Sequence, residues 1–271
     1  MTEDRTSQRP AAPSATQPPI QVSGMEMRYG DRVIMTGLDF EIRQGEVFVV
    51  MGPSGCGKST LLRHLIGLQS PAAGTVRLFG QDLYSLDAAE QKAILRRLGI
   101  LYQRCGLWSS MTLRENIALV LREYTQLSVE DIREICDFKL SLVGLQEYGS
   151  YFPSELSGGM QKRAGLARAM ALDPEILLFD EPSAGLDPIS ARNLDELILE
   201  LRNSLNTTIV VVTHDLDSIF LIGSNAVYLD PRLKSISAAG KPSEMLASAT
   251  DPVLKAFLTR GEPERKPRAS R

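Results

Sequence analysis

One glycine-rich segment, GPSGCGKST at residues 52–60, constrains the fold of this chain more than any other feature. An apolar, strand-length run, EVFVVM, comes directly before it. The residues after it have the spacing of one apolar helix face, namely Leu61, Leu62, Leu65 and Ile66. A strand, a loop of the pattern G-x-x-x-x-G-K-[ST] and a helix in this order are typical of a phosphate-binding loop. The segment therefore predicts an α/β domain with an anion site at a strand end.

The side chains of this loop predict a nucleotide and a metal. Glycines allow successive backbone N–H groups to face phosphates, and the dipole of the following helix adds positive potential. Lys58 is expected to reach the β- and γ-phosphates, and Ser59 to ligate Mg²⁺. The other expected nucleotide contacts are Gly52, Pro53, Ser54, Gly55, Cys56, Gly57 and Thr60.

Four continuous apolar runs, EVFVVM, GILYQ, EILLFDE and TIVVVTHD, predict a mostly parallel sheet covered by helices on both faces. Such sheets bind ligands beyond the carboxyl ends of their strands. Here those ends carry the loop from Gly52 onward, Gln103, Asp180 with Glu181, and His214.

These strand-end residues suggest roles in nucleotide hydrolysis. Asp180 and Glu181 are adjacent and should point in different directions. Asp180 is therefore expected to hold Mg²⁺ and Glu181 to accept the proton of the attacking water. His214 is expected to hydrogen-bond the γ-phosphate, although a lone histidine is more often a packed or exposed side chain. Tyr29 is a candidate for stacking on adenine, although a tyrosine on a strand is more often core.

Two further regions surround the predicted core. Alternation over residues 22–45, with Leu38, Phe40 and Ile42 on one face, predicts a half-buried antiparallel strand, and TVRLFGQDL repeats the pattern. Both belong to a small antiparallel β-subdomain. An inserted helical subdomain is predicted at about residues 104–172, with a capping box at Ser128 and Asp131.

Composition limits the partners. The net charge of −3 does not favour a nucleic-acid binder. The longest apolar runs are too short to cross a bilayer, so we expect a protein that stays in the cytosol. Residues 1–19 are predicted to be a disordered leader and 261–271 an unstructured tail. The basic charge of the tail would allow contact with anionic lipid, but a charge run of this kind is more often a solvated chain end. Three cysteines without metal-type spacing, Cys56, Cys105 and Cys136, are predicted to be reduced structural thiols, and His64 a structural histidine.

The set of motifs resembles the ATP-binding subunits of ABC transporters. The phosphate loop, Gln103, LSGGM, LLFDEP, SAGLD and VVTHD follow the order of that family across residues 22–241. The resemblance implies ATP with Mg²⁺ and a P-loop NTPase core within residues 20–260. It also implies a homodimer in which Ser157, Gly158 and Gly159 of one copy cap the γ-phosphate held by the other. In the family Asp187 would bridge the copies, and Gln103 would contact the metal and report nucleotide state to the helical subdomain.

Several segments, among them SGGMQKRAGLARAMALDPEILLFDEPSAGLDPIS, are similar to the ATPases of Mla-type phospholipid transporters. Met160 stands where many family members have glutamine, which puts one side-chain contact in question. The similarity implies an integral permease, an MCE-type lipid-binding subunit, a small accessory subunit, and a peripheral position at the cytoplasmic face of the inner membrane. The alternatives are a transporter ATPase for an amino acid, metal or drug, and an ABC ATPase outside transport.

Overall fold

The structure is a computed structural model that describes residues 17–261. Its strands and helices are numbered in chain order. The expected leader and tail fall largely on residues 1–16 and 262–271, which lie outside the described residues.

A four-stranded antiparallel sheet forms the first layer. Its strand order is β2-β1-β4-β5, with bounds β1 (Ile20–Tyr29), β2 (Arg32–Ile42), β4 (Ala73–Leu78) and β5 (Gln81–Asp82). The alternating run at residues 22–45 is thus divided into two strands, because Gly30, at φ +55°, permits a tight turn between Tyr29 and Arg32. The expected alternation is confirmed, since Leu38 and Ile42 are buried between exposed neighbours.

A six-stranded sheet forms the centre, in the order β10-β9-β3-β8-β7-β6. Its bounds are β3 (Val47–Met51), β6 (Leu98–Leu101), β7 (Ile176–Asp180), β8 (Thr208–Thr213), β9 (Asn225–Asp230) and β10 (Ser235–Gly240). The β9, β3, β8, β7 and β6 strands are parallel, and β10 pairs antiparallel with β9 at the edge. The predicted parallel core is confirmed, and the carboxyl ends of its strands share one edge.

The helices within residues 17–261 cover both faces of the central sheet. Their bounds are α1 (Lys58–Leu65), α2 (Ala88–Leu95), α3 (Leu113–Tyr124), α4 (Val129–Leu142), α5 (Gly158–Ala169), α6 (Pro188–Leu205), α7 (Leu216–Ile222), α8 (Pro242–Ser248) and α9 (Pro252–Leu258). One apolar cluster joins α1 and the antiparallel sheet to one face. A second joins α3, α4, α5 and α6 to the opposite face. The edge that carries the carboxyl ends of the parallel strands therefore lies between two packed layers.

The helical lobe, which we define as α3, α4 and α5, stands between β6 and β7 in the chain. The capping box predicted at Ser128 and Asp131 is confirmed at the start of α4. Buried Asn116 of α3 accepts a hydrogen bond from the backbone of Trp108 and donates to the carbonyls of Trp108 and Met111. Its amide thereby fixes the loop that enters the lobe.

Cysteines and one histidine behave as the sequence predicted. All three cysteines are free and buried, and burial raises the pKa of Cys136 to about 11. His64 is fully buried, and its Nδ1 lies 2.5 Å from the Gln69 carbonyl oxygen. Burial lowers the pKa of this imidazole, which fits a packed side chain. Within residues 17–261, no helix has both the length and the apolar character that a bilayer crossing requires.

Candidate nucleotide-binding site

The glycine-rich loop between β3 and α1 adopts a backbone that glycine favours. Gly52, Gly55 and Gly57 have φ values of +154°, +77° and +113°. A Cβ atom at Gly52 would lie 2.8 Å from the Leu229 carbonyl oxygen, so a larger residue does not fit there. Helix α1 begins after Gly57 without a side-chain cap. Its first N–H groups are therefore available to an anion.

Lys58 folds back over this loop and places a positive charge at its centre. Only 6% of the residue is exposed. Its Nζ donates to the carbonyl oxygens of Gly52 at 2.9 Å and Pro53 at 3.2 Å. The same atom lies 3.7 Å from Oε1 of Glu181. The ammonium thus connects the loop with the end of β7.

Ser59 and Asp180 form a pair of hard oxygen donors beside the loop. The Ser59 hydroxyl donates to Oδ1 of Asp180 at 3.0 Å. Burial raises the pKa of Asp180, and the hydrogen bond from Ser59 opposes that shift. The described residues contain no cluster of three His, Cys, Asp or Glu side chains able to hold a metal. One hydroxyl and one carboxylate suit Mg²⁺, which commonly completes its shell with phosphate oxygens and water.

Glu181 makes different contacts from its neighbour Asp180. Its backbone is left-handed, at φ +49°, and its N–H donates to the Val212 carbonyl at 2.8 Å. Its carboxylate Oε1 lies 2.8 Å from Nδ1 of His214. Asp180 and Glu181 therefore point apart, as expected for adjacent residues at a strand end. A strained backbone of this kind at a charged residue is typical of functional sites.

Tyr29 and Gln103 line the rim of the same cleft, whose volume is about 460 Å³. Tyr29 is 48% exposed, so it is not a core residue. Its hydroxyl accepts a hydrogen bond from Nη1 of Arg63 at 3.0 Å. The cleft also contains Lys58, Ser59, Glu181 and His214. The structure thus brings the phosphate loop, the strand ends and the aromatic candidate together.

The remaining predicted contacts do not line this cleft. Ser157 caps α5, because its hydroxyl accepts from the Met160 N–H at 3.3 Å. Asp187 caps α6, and its Oδ1 accepts from the N–H groups of Ile189 and Ser190, each at 3.0 Å. A Cβ atom on Gly159 would meet Ser190 at 3.5 Å. The LSGGM and SAGLD segments therefore lie side by side, apart from the phosphate loop of their own chain.

Two residues that sequence reasoning missed support the site. Arg63 of α1 reaches Tyr29, as described above. Lys162 of α5 is only 5% exposed and reaches the carbonyl oxygens of Gln103 and Glu181. A signal was available for the second residue, since Lys162 shares a helix face with buried Leu166, four residues on. A lysine at a buried helical position indicates a specific partner.

Comparison with known proteins defines the class. Residues 35–184 match the ABC transporter family. The chain belongs to this family and is an ATP-binding, ATP-hydrolysing subunit of a transporter, as its motifs predicted.

Particular relatives narrow the similarity. A probable ribonucleotide transport ATP-binding protein, mkl, of Mycobacterium leprae is 41% identical over 88% of this chain and 68% of its own length. The chain thus spans about two thirds of that relative. The intermembrane phospholipid transport system ATP-binding protein MlaF of Haemophilus influenzae is 39% identical over 84% of this chain and 86% of its own. The expected similarity to Mla-type ATPases is confirmed.

A solved structure supports the architecture. The dimeric post-hydrolysis state of the ATP-binding cassette MJ0796, bound to ADP and Pi, aligns with a TM-score of 0.73 and 29% identity. The alignment covers 82% of this chain and 98% of that one. The predicted P-loop NTPase fold is confirmed.

Proposed function

We propose that this chain is the motor of a membrane phospholipid transporter and that two copies enclose two ATP molecules between them. One observation carries the proposal: the phosphate loop, Glu181 and His214 line one cleft, with Asp180 bound to Ser59 beside it, whereas the glycines of LSGGM lie outside this cleft. A nucleotide on a second copy would occupy the helix N-terminus that this chain leaves facing outward. The dimeric relative supports this arrangement.

The contacts described above suggest how each copy prepares hydrolysis. Lys58 and the backbone N–H groups of residues 52–60 hold the β- and γ-phosphates. Ser59 and Asp180 would hold Mg²⁺, with Gln103 at the rim as a further contact, and the bound metal would supply neutralisation of the phosphate charge. Glu181 takes the proton of the attacking water. Its hydrogen bond to Nδ1 of His214 orients the imidazole, so that Nε2 is the ring atom able to meet the γ-phosphate.

Closure of the dimer completes the site. Ser157, Gly158 and Gly159 of one copy approach the γ-phosphate held by the other, and Asp187 lies at the same junction. A shift from 1:99 to 99:1 in favour of the closed dimer requires about 5.5 kcal/mol of differential binding. Charge-assisted hydrogen bonds from two helix N-termini are of this scale. Permease subunits docked to the helical lobes follow the movement, and hydrolysis reopens the dimer.

The proposed cargo is phospholipid. This proposal is supported by the similarity to MlaF and by the resemblance of the segment that begins with SGGM to Mla-type ATPases. The mycobacterial relative is named a probable ribonucleotide transport protein, so the alternative is a transporter for a substrate other than phospholipid. The proposed partners are an integral permease, an MCE-type lipid-binding subunit and a small accessory subunit. The chain would then sit at the cytoplasmic face of the inner membrane.

Isolation of the native complex tests this proposal. A tagged chain extracted from membranes should bring with it an integral membrane protein, an MCE-domain protein and bound phospholipid, identified by mass spectrometry. The complex should hydrolyse ATP, and a complex with Lys58→Ala should not. Recovery of an amino-acid or metal receptor in place of the MCE protein would show the alternative cargo. Recovery without any membrane protein would show an ABC ATPase outside transport.

A further inference from the structure

Lys162 lies in the first turns of α5, five residues after the helix-capping Ser157. Its Nζ donates to the carbonyl oxygen of Gln103 at 2.5 Å and to that of Glu181 at 3.4 Å. Gln103 follows β6, whereas Glu181 follows β7. One buried ammonium therefore connects the helix of the LSGGM segment with the carboxyl ends of two strands, β6 and β7, at the nucleotide cleft.

Burial of the Lys162 ammonium is unfavourable unless polar or charged groups compensate for the loss of its hydration. Burial lowers the pKa of Lys162, and the nearby charges of Asp180 and Glu181 oppose this shift. No carboxylate within residues 17–261 lies within ion-pair distance of its Nζ. By contrast, Lys139 of the same lobe is equally buried and pairs directly with Asp173. Lys162 therefore depends on backbone carbonyl groups for its solvation.

Its contact with Glu181 acts on a strained residue. Left-handed backbone at a residue other than glycine is strained and persists only where neighbouring groups hold it. The N–H of Glu181 is bound to Val212 of β8. Its carbonyl oxygen accepts hydrogen bonds from the Ala184 N–H at 3.2 Å and from Nζ of Lys162 in α5 at 3.4 Å. The peptide groups on either side of the Glu181 side chain are thus fixed from two elements, and one of them is the helix that would face the partner's nucleotide.

We infer that Lys162 is a positioning residue, which couples the placement of α5 to the placement of Glu181 and Gln103 in the same chain. When α5 docks on the partner's nucleotide, the ammonium carries its displacement to the carbonyls of both residues. The carboxylate of Glu181 then reaches its hydrolytic position only in a closed dimer. This inference rests on the proposed function, since it assumes that Glu181 is the base.

Replacing Lys162 with methionine tests the coupling. Lys162→Met keeps the length of the side chain and removes its donors. We expect kcat for ATP to fall about 10- to 100-fold, because a misplacement of the order of 1 Å has effects of this size. The dissociation constant of ATP should change by less than about twofold, because Lys162 does not line the cleft. Lys162→Gln, which keeps one donor, should give an intermediate kcat.

Lys139→Met is the matched control, because it removes an equally buried lysine from the same lobe without touching the strand ends at the nucleotide cleft. It should lower the thermal unfolding temperature and leave kcat within about twofold of the wild type. The inference is overturned if Lys162→Met keeps a wild-type kcat, or if the two methionine variants lose kcat equally. Should Lys162→Met not fold, a wild-type kcat in Lys162→Gln overturns it as well.

The outcomes separate this inference from the proposed function. If hydrolysis requires Lys58 but is unaffected at Lys162, only the coupling is wrong. If Lys58→Ala and the wild type hydrolyse ATP at the same rate, the proposed site itself is wrong.

Discussion

Two glycine-bearing loops open helices in this protein, and they differ in what the chain places opposite them. The loop at residues 52–57 opens α1 and is surrounded by Lys58, Asp180, Glu181 and Tyr29. The glycines at residues 158–159 open α5, and Cβ atoms added to them would meet Leu186 and Ser190 around the start of α6. The first loop carries its own complement of charges, whereas the second, in the proposed dimer, presents a helix end to the partner's nucleotide.

The backbone shows the same difference. Gly57 has φ +113°, and a Cβ atom there would lie 2.9 Å from Cγ2 of Ile34. A Cβ atom on Gly158 or Gly159 would make ordinary contacts at 3.6 and 3.5 Å. The fold therefore requires glycine in the first loop but not in the second. The small size of the second pair is useful only if a ligand approaches its backbone closely.

The largest expected effect is that of Glu181→Gln, which separates ATP hydrolysis from closure of the dimer. Glu181→Gln should slow ATP hydrolysis by about 10²- to 10⁴-fold, since it removes the base. ATP binding should remain, because the phosphate loop is unchanged, and a closed dimer should accumulate with ATP. Single-turnover hydrolysis and size-exclusion chromatography measure the two results.

Glu175→Gln is the control for this variant. Glu175 lies just before the first residue of β7, at the opposite end of the strand from Asp180 and Glu181. Its carboxylate accepts hydrogen bonds from Arg97. Its substitution should leave turnover unchanged. Wild-type turnover in Glu181→Gln would remove the assignment of the base.

A mixing experiment tests whether the second loop serves another copy. In a Glu181→Gln background, subunits with Ser157→Arg are mixed with subunits with Lys58→Ala. With random pairing, about half of the dimers contain one of each. If the second loop acts across the dimer, such a dimer has one site with both defects and one site with neither.

Each mixed dimer should therefore retain about one occluded ATP, and neither parent dimer should retain any. Nucleotide trapped after rapid desalting gives the count. No retention in the mixture would indicate that the second loop acts on the nucleotide of its own chain.

The sequence predicted the first loop far better than the second. Residues 52–60 form a local signal, in which a strand, turn glycines and a helix follow one another, so that the geometry follows from short-range preferences. The strand-end positions of Asp180 and His214 also followed, because parallel strands align their carboxyl ends. Only the resemblance to a family indicated that the second loop faces a partner.

Long-range side-chain contacts were the part that sequence could not predict. The approach of Lys162 to Gln103 and Glu181 joins residues 59 and 19 positions apart. It depends on how the helical lobe packs on the sheet, which no periodicity encodes. The bond between His214 and Glu181 is similar, since the histidine was expected to meet phosphate and the structure shows its Nδ1 on the carboxylate.

Alanine substitutions in the two loops should have opposite effects on stability. Gly57→Ala should lower the free energy of unfolding by about 1–3 kcal/mol, because a side chain is strained at its φ value. Gly159→Ala should leave it unchanged or raise it by up to about 1 kcal/mol, because alanine favours the helix. Chemical denaturation measures both values.

Gly159→Ala should nonetheless impair ATP hydrolysis, since the added methyl group would meet the partner's nucleotide. A fully active and stabilised Gly159→Ala protein would contradict the view that the second loop is half of a composite site. Ala169→Gly, at the far end of α5 and only partly buried, is the control for helix propensity.

The smallest effect concerns the base-binding side of the first loop. Tyr29→Ala should weaken ATP binding by about 1–3 kcal/mol through loss of stacking. Tyr29→Phe keeps the ring and loses only the hydrogen bond from Arg63, so the dissociation constant should rise by no more than about threefold. Inorganic tripolyphosphate, which lacks a base, should bind both variants as it binds the wild type, as calorimetry can show. If Tyr29→Ala weakened the binding of tripolyphosphate as strongly as the binding of ATP, the tyrosine would act by shaping the phosphate loop. The contrast between the two loops would then lie in their phosphate contacts alone.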